Sequence, residues 1–227
     1  MNILQSLGSG SELTYLFASG MRFSLELTLI ATLAGMLLGT CLAVLRVAHI
    51  RVFSNLAALY VNAMRSIPLL LVIFWIYFLA PYLLGWLTRS TQPVQVGGYT
   101  SAFATFILFE SAYFCEIMRA GIGSVRKAQT HAAFALGMNY RQAMVLVVLP
   151  QALRNMAPAV LSQIIVLFQD TSLVYVLSLT DFFGAASEIG QRDGRVVEFY
   201  IFAAAVYLVI CVIASGGVKY LQRKAIA

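Results

Sequence analysis

Residues 69–80 read LLLVIFWIYFLA, twelve consecutive apolar side chains without a charge. A run of this kind favours a helix buried in lipid, because an α-helix satisfies its backbone hydrogen bonds within the segment. It lacks the alternation of apolar and polar residues that a membrane β-barrel strand requires. The whole chain has the same character, with 61% hydrophobic and only 11% charged residues. The sequence therefore predicts an α-helical integral membrane protein.

Four more apolar stretches accompany this one. A helix needs roughly 20 residues to cross a hydrocarbon core of about 30 Å. The predicted spans are residues 23–45, 56–84, 99–122, 158–179 and 196–220. We therefore expect an all-α protein in which residues 1–227 form a single transmembrane domain of five helices.

The distribution of Lys and Arg predicts the orientation of the helices, since loops rich in these residues stay on the cytoplasmic side. One side carries only Arg22, Arg89, Arg192 and Arg195. The N-terminus is predicted to be outside and the C-terminus in the cytoplasm. This topology accounts for the net charge of +6, so the charge gives no reason to expect a nucleic-acid partner. The cations of the predicted cytoplasmic side are Arg46, Arg51, Arg65, Arg119, Arg126, Lys127, Arg141, Arg154, Lys219, Arg223 and Lys224.

Polar residues inside the predicted spans are candidates for a substrate path, because such residues are costly in lipid. Glu110 has no basic residue one helical turn away, so we expect its partner on another helix or in a water-filled path. Asp170, Thr171 and Ser172 are predicted to line the path or a subunit interface. Arg65 is a candidate for binding carboxylates, or else an anchor at the membrane surface.

Other features of the spans predict structure rather than function. Glu116 and Arg119 are three residues apart on one helix and are expected to form an ion pair. Gly35 and Gly39 form a GxxxG pattern, which is typical of closely packed membrane helices. Three cysteines are scattered singly, which indicates small buried side chains rather than metal ligands or disulfides. They are Cys41, Cys115 and Cys211.

Residues 128–150, AQTHAAFALGMNYRQAMVLVVLP, are more polar and lie between the third and fourth spans. Their periodicity predicts two helices separated at Gly137, where glycine permits a turn that a Cβ would hinder. Ala132 and Ala133 would let another surface approach the backbone closely, and Pro150 is predicted to end the second helix. This segment is either a docking surface for another protein or an ordinary connector at the membrane surface.

Specific residues in this segment resemble a known family. His131, Ala132 and Ala133, followed by Gly137 and by LP at 149–150, are similar to the EAA loop of permease subunits in bacterial ABC importers. Further segments resemble the polar amino acid (HisMQ-like) branch of that family, and within it the glutamate/aspartate permeases. These segments are RSIPLL at 65–70, ESAYFCEIMRAGI at 110–122, LPQALR at 149–154, QDTSLVYVLSL at 169–179 and IGQRDG at 189–194.

The resemblance implies a five-helix type I importer fold in the bacterial inner membrane. It further implies a second permease, two ATPase subunits and a periplasmic solute-binding protein. The similarity to glutamate/aspartate permeases implies a heterodimer of permeases, and a homodimer is the alternative. ATP and Mg would be held by the ATPase, so this chain itself would be neither an enzyme nor a cofactor-binding protein. One departure concerns His131, because the loop of the family usually has Glu there. The residues that would couple to the ATPase are His131, Ala132, Ala133, Gly137, Leu149 and Pro150.

An ion-coupled secondary transporter is the alternative, with Glu110 and Asp170 carrying protons or cations. Many such carriers contain inverted repeats, and this sequence shows no convincing internal repeat. It also contains no GxxxxGK[ST] loop, so an ATP-driven transporter would need a separate ATPase. The dependence of uptake on ATP distinguishes the two functions.

Overall fold

A computed structural model describes residues 10–47, 51–90 and 92–226. The described residues form helices and connecting turns, with no β-strand among them. Three helical segments have π-type hydrogen bonding and one is a 3₁₀-helix. In chain order the elements are α1 (Gly10–Tyr15), a π segment (Leu16–Met21), α2 (Arg22–Val47), α3 (Arg51–Ser66), α4 (Leu69–Phe74), a π segment (Trp75–Leu79), α5 (Ala80–Leu87), α6 (Gly98–Gly123), α7 (Lys127–Ala135), α8 (Tyr140–Gln142), a π segment (Ala143–Val148), α9 (Leu149–Asp170), a 3₁₀-helix (Thr171–Leu177), α10 (Phe182–Arg192) and α11 (Val196–Ile226).

Five helical stretches of the described chain are long and apolar enough to cross a membrane, which confirms the predicted class. The second one begins at Leu69, whereas the sequence placed its start at residue 56. The difference arises at Pro68, whose ψ of 134° breaks the helix after α3. The five stretches, called spans 1 to 5, are Glu12–Arg46, Leu69–Leu87, Gly98–Gly123, Tyr140–Leu177 and Val196–Arg223.

The predicted helix end at Pro150 is wrong. Span 4 continues without a break through Pro150 and also contains Pro158. Before Pro150 the backbone changes to π-type bonding over Ala143–Val148. Proline lacks an N–H and ordinarily disrupts the regular ladder of a helix, and the wider turn accommodates this change. The helix after the Gly137 turn is consequently continuous with the membrane-spanning helix.

The most extensive packing in the protein joins α2 to α6. The GxxxG glycines lie in this contact, as predicted. A Cβ added to Gly39 would lie 2.8 Å from both Phe114 Cβ and the Ser111 carbonyl oxygen, and one added to Gly35 would lie 3.2 Å from Glu110 Cβ. Absence of side chains at these positions lets the two helices approach closely.

The cysteines divide into two groups. Cys115 and Cys211 are buried, as the sequence predicted. Cys41 is exposed, so the prediction was wrong for this residue. It lies on the surface of α2 that faces away from the packed core.

Three arginines surround the carboxylate of Glu116 at one end of the helical bundle. Its Oε2 accepts hydrogen bonds from Arg119 Nε at 2.9 Å and Nη2 at 2.7 Å, which confirms the predicted pair. Its Oε1 accepts a hydrogen bond from Arg46 of α2, and Arg65 Nη1 lies 3.9 Å away. The carboxylate therefore ties α2, α3 and α6 together at this end.

At the opposite end, Asp181 starts α10, and the next residue, Phe182, connects this helix to α2. Its carboxylate accepts hydrogen bonds from the backbone N–H of Phe183 at 3.0 Å and of Gly184 at 2.9 Å. The N–H of Phe182 donates to Ser24 Oγ at 3.1 Å. Asp181 is fully buried, and this burial raises its pKa to about 7.

Candidate functional site

The first candidate site is the turn between α7 and α8. Gly137 has a φ of 80°, a left-handed conformation that glycine adopts without a Cβ penalty. Its N–H donates to the Phe134 carbonyl at 2.9 Å, and that of Met138 donates to the Ala133 carbonyl at 3.1 Å. These two bonds form a Schellman motif, which satisfies the last carbonyls of α7. The structure thus confirms the predicted turn at Gly137.

A capping box starts the next helix directly after this turn. The Asn139 side chain accepts a hydrogen bond from the Gln142 N–H at 2.9 Å, and the Gln142 side chain accepts one from the Asn139 N–H at 2.9 Å. Reciprocal capping fixes the direction of the new helix. The helix–turn–helix is therefore specified by local hydrogen bonds on both sides of Gly137.

The residues predicted to couple to an ATPase are not all on one surface. His131 and Ala132 are exposed, whereas Ala133 is only 3% exposed and faces the π segment (Ala143–Val148). Leu149 and Pro150 are also exposed, but they lie beyond the π segment inside span 4. Ala133 thus lies on the inner face of α7, which packs on the π segment. His131 and Ala132 lie on its outer face.

The second candidate site contains Glu110, which is completely buried in span 3. Its Oε2 accepts a hydrogen bond from Gln163 Nε2 at 3.0 Å, and its Oε1 lies 3.4 Å from the same nitrogen. Gln163 belongs to span 4, so the partner of Glu110 is on another helix, as expected. A buried carboxyl group without such a partner would be costly in a membrane protein.

Arg65 packs on the Tyr113 ring, and two acidic residues lie in the same region. The guanidinium carbon of Arg65 lies 5.6 Å from the centre of the Tyr113 ring, which is within cation–π range. Glu110 and Asp170 both lie close enough to Tyr113 to interact with it electrostatically, and Asp170 also interacts with Glu110. Arg65, Glu110, Tyr113, Gln163 and Asp170 are here called the Tyr113 cluster. Its direct contacts are those of Arg65 with Tyr113 and of Gln163 with Glu110.

Thr171 and Ser172 lie next to this cluster but use their hydroxyl groups locally. Thr171 is fully buried, and its Oγ1 donates to the Phe168 carbonyl at 2.8 Å. The Oγ of Ser172, which is half-buried, donates to the Gln169 carbonyl at 2.8 Å. The two hydroxyl groups thus bind carbonyls at the C-terminal end of α9, where the regular α-helical hydrogen bonds end and the 3₁₀-helix begins.

An open pocket of about 490 Å³ adjoins Arg65. Its lining includes Glu116, Ser124 and Asn155, and Asn155 Nδ2 donates to Ser124 Oγ at 2.8 Å. At the other end of the protein, a pocket of about 520 Å³ lies between the 3₁₀-helix and α10. Polar or acidic residues thus line a pocket at each end.

Two members of the Tyr113 cluster were missed by the sequence reasoning. Gln163 lies seven residues before Asp170, which places both on one side of α9. Tyr113 lies three residues after Glu110 and therefore on the same face of α6. Helical spacing from the two predicted acids was the signal that would have found both residues.

Comparison with known proteins gives a consistent result. Residues 31–227 match the family described as binding-protein-dependent transport system inner membrane components. The glutamate/aspartate import permease protein GltK of Escherichia coli O157:H7 is 48% identical over 215 residues, which cover 94% of each chain. The arginine transport system permease protein ArtQ of Bacillus subtilis (strain 168) is 31% identical over 205 residues, 90% of each chain.

The fold also matches solved structures. A chain of the crystal structure of an amino acid ABC transporter with histidines superposes with a TM-score of 0.87 at 30% identity, covering 99% of each chain. The match to a family over most of the sequence and the agreement in fold support each other. The chain therefore belongs to the family of binding-protein-dependent transport system inner membrane components, and is a multi-pass protein of the inner membrane.

Proposed function

We propose that this chain is a permease subunit of an ATP-driven ABC importer for glutamate and aspartate. The observation that carries the proposal is the continuous helix from the Gly137 turn into span 4. This helix joins an exposed turn outside the spans to Gln163 and Asp170 in the Tyr113 cluster. A continuous helix between a surface site and a buried polar site can transmit movement from one to the other.

The proposed orientation has the N-terminus outside and the C-terminus in the cytoplasm. The excess of Lys and Arg in the connections after spans 1 and 3 and in the C-terminal tail supports it. The Glu116 end, the α7–α8 turn and the 490 Å³ pocket are then cytoplasmic. Asp181 and α10 lie on the periplasmic side, where a solute-binding protein would dock.

The proposed assembly contains a second, homologous permease, two ATPase subunits that bind ATP and Mg, and the solute-binding protein. The ATPase would contact the outer face of α7 through His131 and Ala132, while Gly137 sets the turn. Closure of the ATPase dimer would move α7, and span 4 would carry this movement to the path. Large apolar side chains exposed on spans 1, 2 and 5 support contacts with membrane lipid and with the second permease.

The Tyr113 cluster is the proposed substrate path. An acidic amino acid has two carboxylates and one ammonium group, so a path needs counter-charges of both signs. Arg65 offers the positive charge, and Glu110 and Asp170 can hold the ammonium group. The substrate class is supported by the similarity to a permease that is named for glutamate and aspartate.

Uptake by the reconstituted importer tests the proposal. Proteoliposomes that contain ATP inside and the loaded binding protein outside should accumulate labelled glutamate, and unlabelled aspartate should compete better than arginine. Glu110→Gln, Asp170→Asn and Arg65→Gln should each reduce uptake while the complex still assembles. Loss of assembly would give these residues a structural role instead.

The alternative, an ion-coupled transporter, makes the opposite prediction. Its uptake would persist without ATP and would collapse when ionophores dissipate the ion gradients. Accumulation by the isolated chain without ATP, abolished by ionophores, would refute the ABC importer.

A further inference from the structure

The helix α3 packs along the membrane-spanning part of span 3. The Tyr60 hydroxyl donates a hydrogen bond to the Leu108 carbonyl at 2.7 Å. Val61, which is completely buried, packs in one apolar cluster with Ala112. Leu108 and Ala112 both lie well inside span 3, which runs over Gly98–Gly123. The second half of α3 is therefore at membrane depth, even though α3 precedes span 2.

The surface of α3 that faces away from span 3 carries two different stripes. Ala57 and Val61 mark the packed face, since they are 5% and 0% exposed. With a rotation of about 100° per residue, the positions opposite to them divide into a polar stripe and an apolar stripe, and all of their side chains are exposed. The polar stripe is Asn55, Asn62 and Ser66, and the apolar stripe is Val52, Leu56, Leu59 and Ala63.

The apolar stripe suits contact with lipid, whereas the polar stripe does not. A side-chain amide surrounded by hydrocarbon is costly, because it loses its hydrogen bonds with water. No described residue forms a hydrogen bond with the side-chain amide of Asn55 or Asn62. Ser66 Oγ donates locally, to the Asn62 carbonyl at 2.7 Å. The two amides therefore need water or a polar partner from outside this chain.

The polar stripe is continuous with the Tyr113 cluster through Arg65. Asn62 lies three residues before Arg65, so the two side chains are neighbours on the helix surface. The guanidinium carbon of Arg65 lies 5.6 Å from the centre of the Tyr113 ring. At the other end, Ser54 Oγ donates to the Arg46 carbonyl at 3.0 Å, which places the start of α3 beside the last turn of α2. The stripe thus runs from the Tyr113 cluster to the edge of the bundle that is cytoplasmic in the proposed orientation.

The chemistry of α3 suits the passage of carboxylates. Its sequence contains no acidic residue, whereas Glu110 and Asp170 lie on spans 3 and 4. An asparagine amide donates two hydrogen bonds from Nδ2 and carries no charge. A path needs binding that is favourable enough for entry and weak enough for release. A neutral donor beside Arg65 can therefore take over a carboxylate and let it move on.

We propose that the polar stripe of α3 lines the cytoplasmic part of the substrate path. Asn62 receives the carboxylates of the acidic amino acid after Arg65, and Asn55 receives them about 10 Å further along the helix. The inference rests on the proposed function and extends its path beyond the Tyr113 cluster. The apolar stripe, which includes Leu59, faces lipid.

Cysteine labelling tests which stripe lies in water. Asn55→Cys, Asn62→Cys and Leu59→Cys are introduced singly after replacement of the exposed Cys41. Leu59 is the matched control, because it lies between the two asparagines and is 67% exposed. A charged, membrane-impermeant thiosulfonate is added to inverted vesicles that contain the intact complex. Positions 55 and 62 should react about tenfold faster than position 59, because the reactive thiolate and the reagent both require water.

Three outcomes of the labelling would overturn the inference. The first is an equal rate at positions 59 and 62, and the second is no reaction at positions 55 and 62. The third is a reaction at positions 55 and 62 that appears only after detergent separates the subunits, because the stripe would then be buried against the second permease.

Trapping the ATPase dimer in its closed form with ATP and vanadate links the stripe to the transport cycle. The reaction at position 62 should become slower in the trapped complex, since closure turns the path away from the cytoplasm. An unchanged rate would contradict a place for Asn62 in the path.

Uptake into proteoliposomes tests whether the substrate uses the stripe. Asn62→Asp should lower the maximal rate of glutamate uptake about tenfold, because a negative charge there repels the carboxylates. Asn62→Gln keeps the amide and should retain most of the rate, and Leu59→Ala is the control on the apolar stripe. Normal uptake by an assembled Asn62→Asp complex would contradict the inference and leave the importer intact. Absence of ATP-driven uptake by the unmodified complex would refute the proposed function and the inference with it.

Discussion

At the scale of single residues, Glu116 shows how a carboxylate is accommodated in a membrane-spanning helix. The side chain is 15% exposed and has Arg46 and Arg119 as hydrogen-bonding partners. Arg46 is equally buried. Removing the negative charge would leave Arg46 unpaired in a poorly solvated position.

Glu116→Gln should therefore lower the stability of the protein by about 2–3 kcal/mol. The measurement is the thermal denaturation midpoint of the purified chain in detergent. Glu26→Gln is the control, because the Arg22–Glu26 pair is exposed, with relative side-chain areas of 75% and 49%, and should contribute less than about 0.5 kcal/mol. Equal effects of the two substitutions would refute a structural role for the Glu116 cluster.

Gly39 permits the close approach of α2 and α6. In Gly39→Ala, the new Cβ would lie 2.8 Å from Phe114 Cβ, so the helices must separate, with an expected cost of about 1–3 kcal/mol. Gly216→Ala controls for helix propensity, since its Cβ would meet no described atom within 4 Å. The denaturation midpoint should fall for Gly39→Ala and stay constant or rise for Gly216→Ala. A stabilised Gly39→Ala would show that the contact is loose.

Asp181 should make stability depend on pH. Burial raises its folded-state pKa from 3.8 to about 7, so the folded protein binds the proton more tightly than the unfolded chain. The resulting stabilisation is complete below about pH 4 and is lost as the pH rises to about 7. In Asp181→Asn, which keeps a capping side chain, this loss should be absent. The measurement is the denaturation midpoint of both proteins at pH 5 and pH 8. An equal fall in the midpoint of both proteins between these pH values would contradict the role of Asp181.

At the scale of elements, the turn after α7 determines the direction in which the helix points. Gly137 holds a φ of 80°, and an added Cβ there would meet no described atom within 4 Å. Within this chain, the effect of a substitution on stability therefore comes from backbone strain rather than from a clash. A substitution at Gly137 therefore tests the backbone conformation of the turn without changing the packing of side chains within this chain.

Gly137→Val should reduce uptake strongly at normal expression, because a β-branched residue rarely adopts this conformation and α7 would be misdirected. ATP hydrolysis by the assembled complex should then no longer respond to the loaded binding protein. Gly123→Val is the control, since Gly123 also has open space among the described residues but lacks the positive φ. Normal uptake by Gly137→Val would refute the coupling role of this turn.

At the scale of the whole molecule, the proposed orientation places the two ends of the bundle in different compartments. Single cysteines at Glu12 and Lys219, introduced after replacement of the exposed Cys41, report this placement. A membrane-impermeant thiol reagent added to intact cells should label position 12 and leave position 219 unlabelled. In inverted membrane vesicles the reagent should label position 219 and leave position 12 unlabelled. Labelling of position 219 but not of position 12 in intact cells would overturn the orientation.

The sequence by itself determined the features that depend on neighbouring residues. Long apolar runs predicted five membrane-spanning helices because helix length must match the hydrocarbon thickness. Gly137 predicted the turn, since its conformation is local. Pro150 was misjudged because the sequence did not reveal the π segment (Ala143–Val148), which allows the helix to continue. The motif at His131, Ala132 and Ala133 identified the family.

Only the tertiary structure decided which polar side chains meet. Gln163 lies 53 residues from Glu110, and Arg46 lies 70 residues from Glu116. Such pairs depend on the rotation and axial offset of separate helices, which the periodicity of each helix does not specify. Close approach at Gly39 sets this arrangement for α2 and α6. The helices follow from local sequence, and the Tyr113 cluster follows from how they pack.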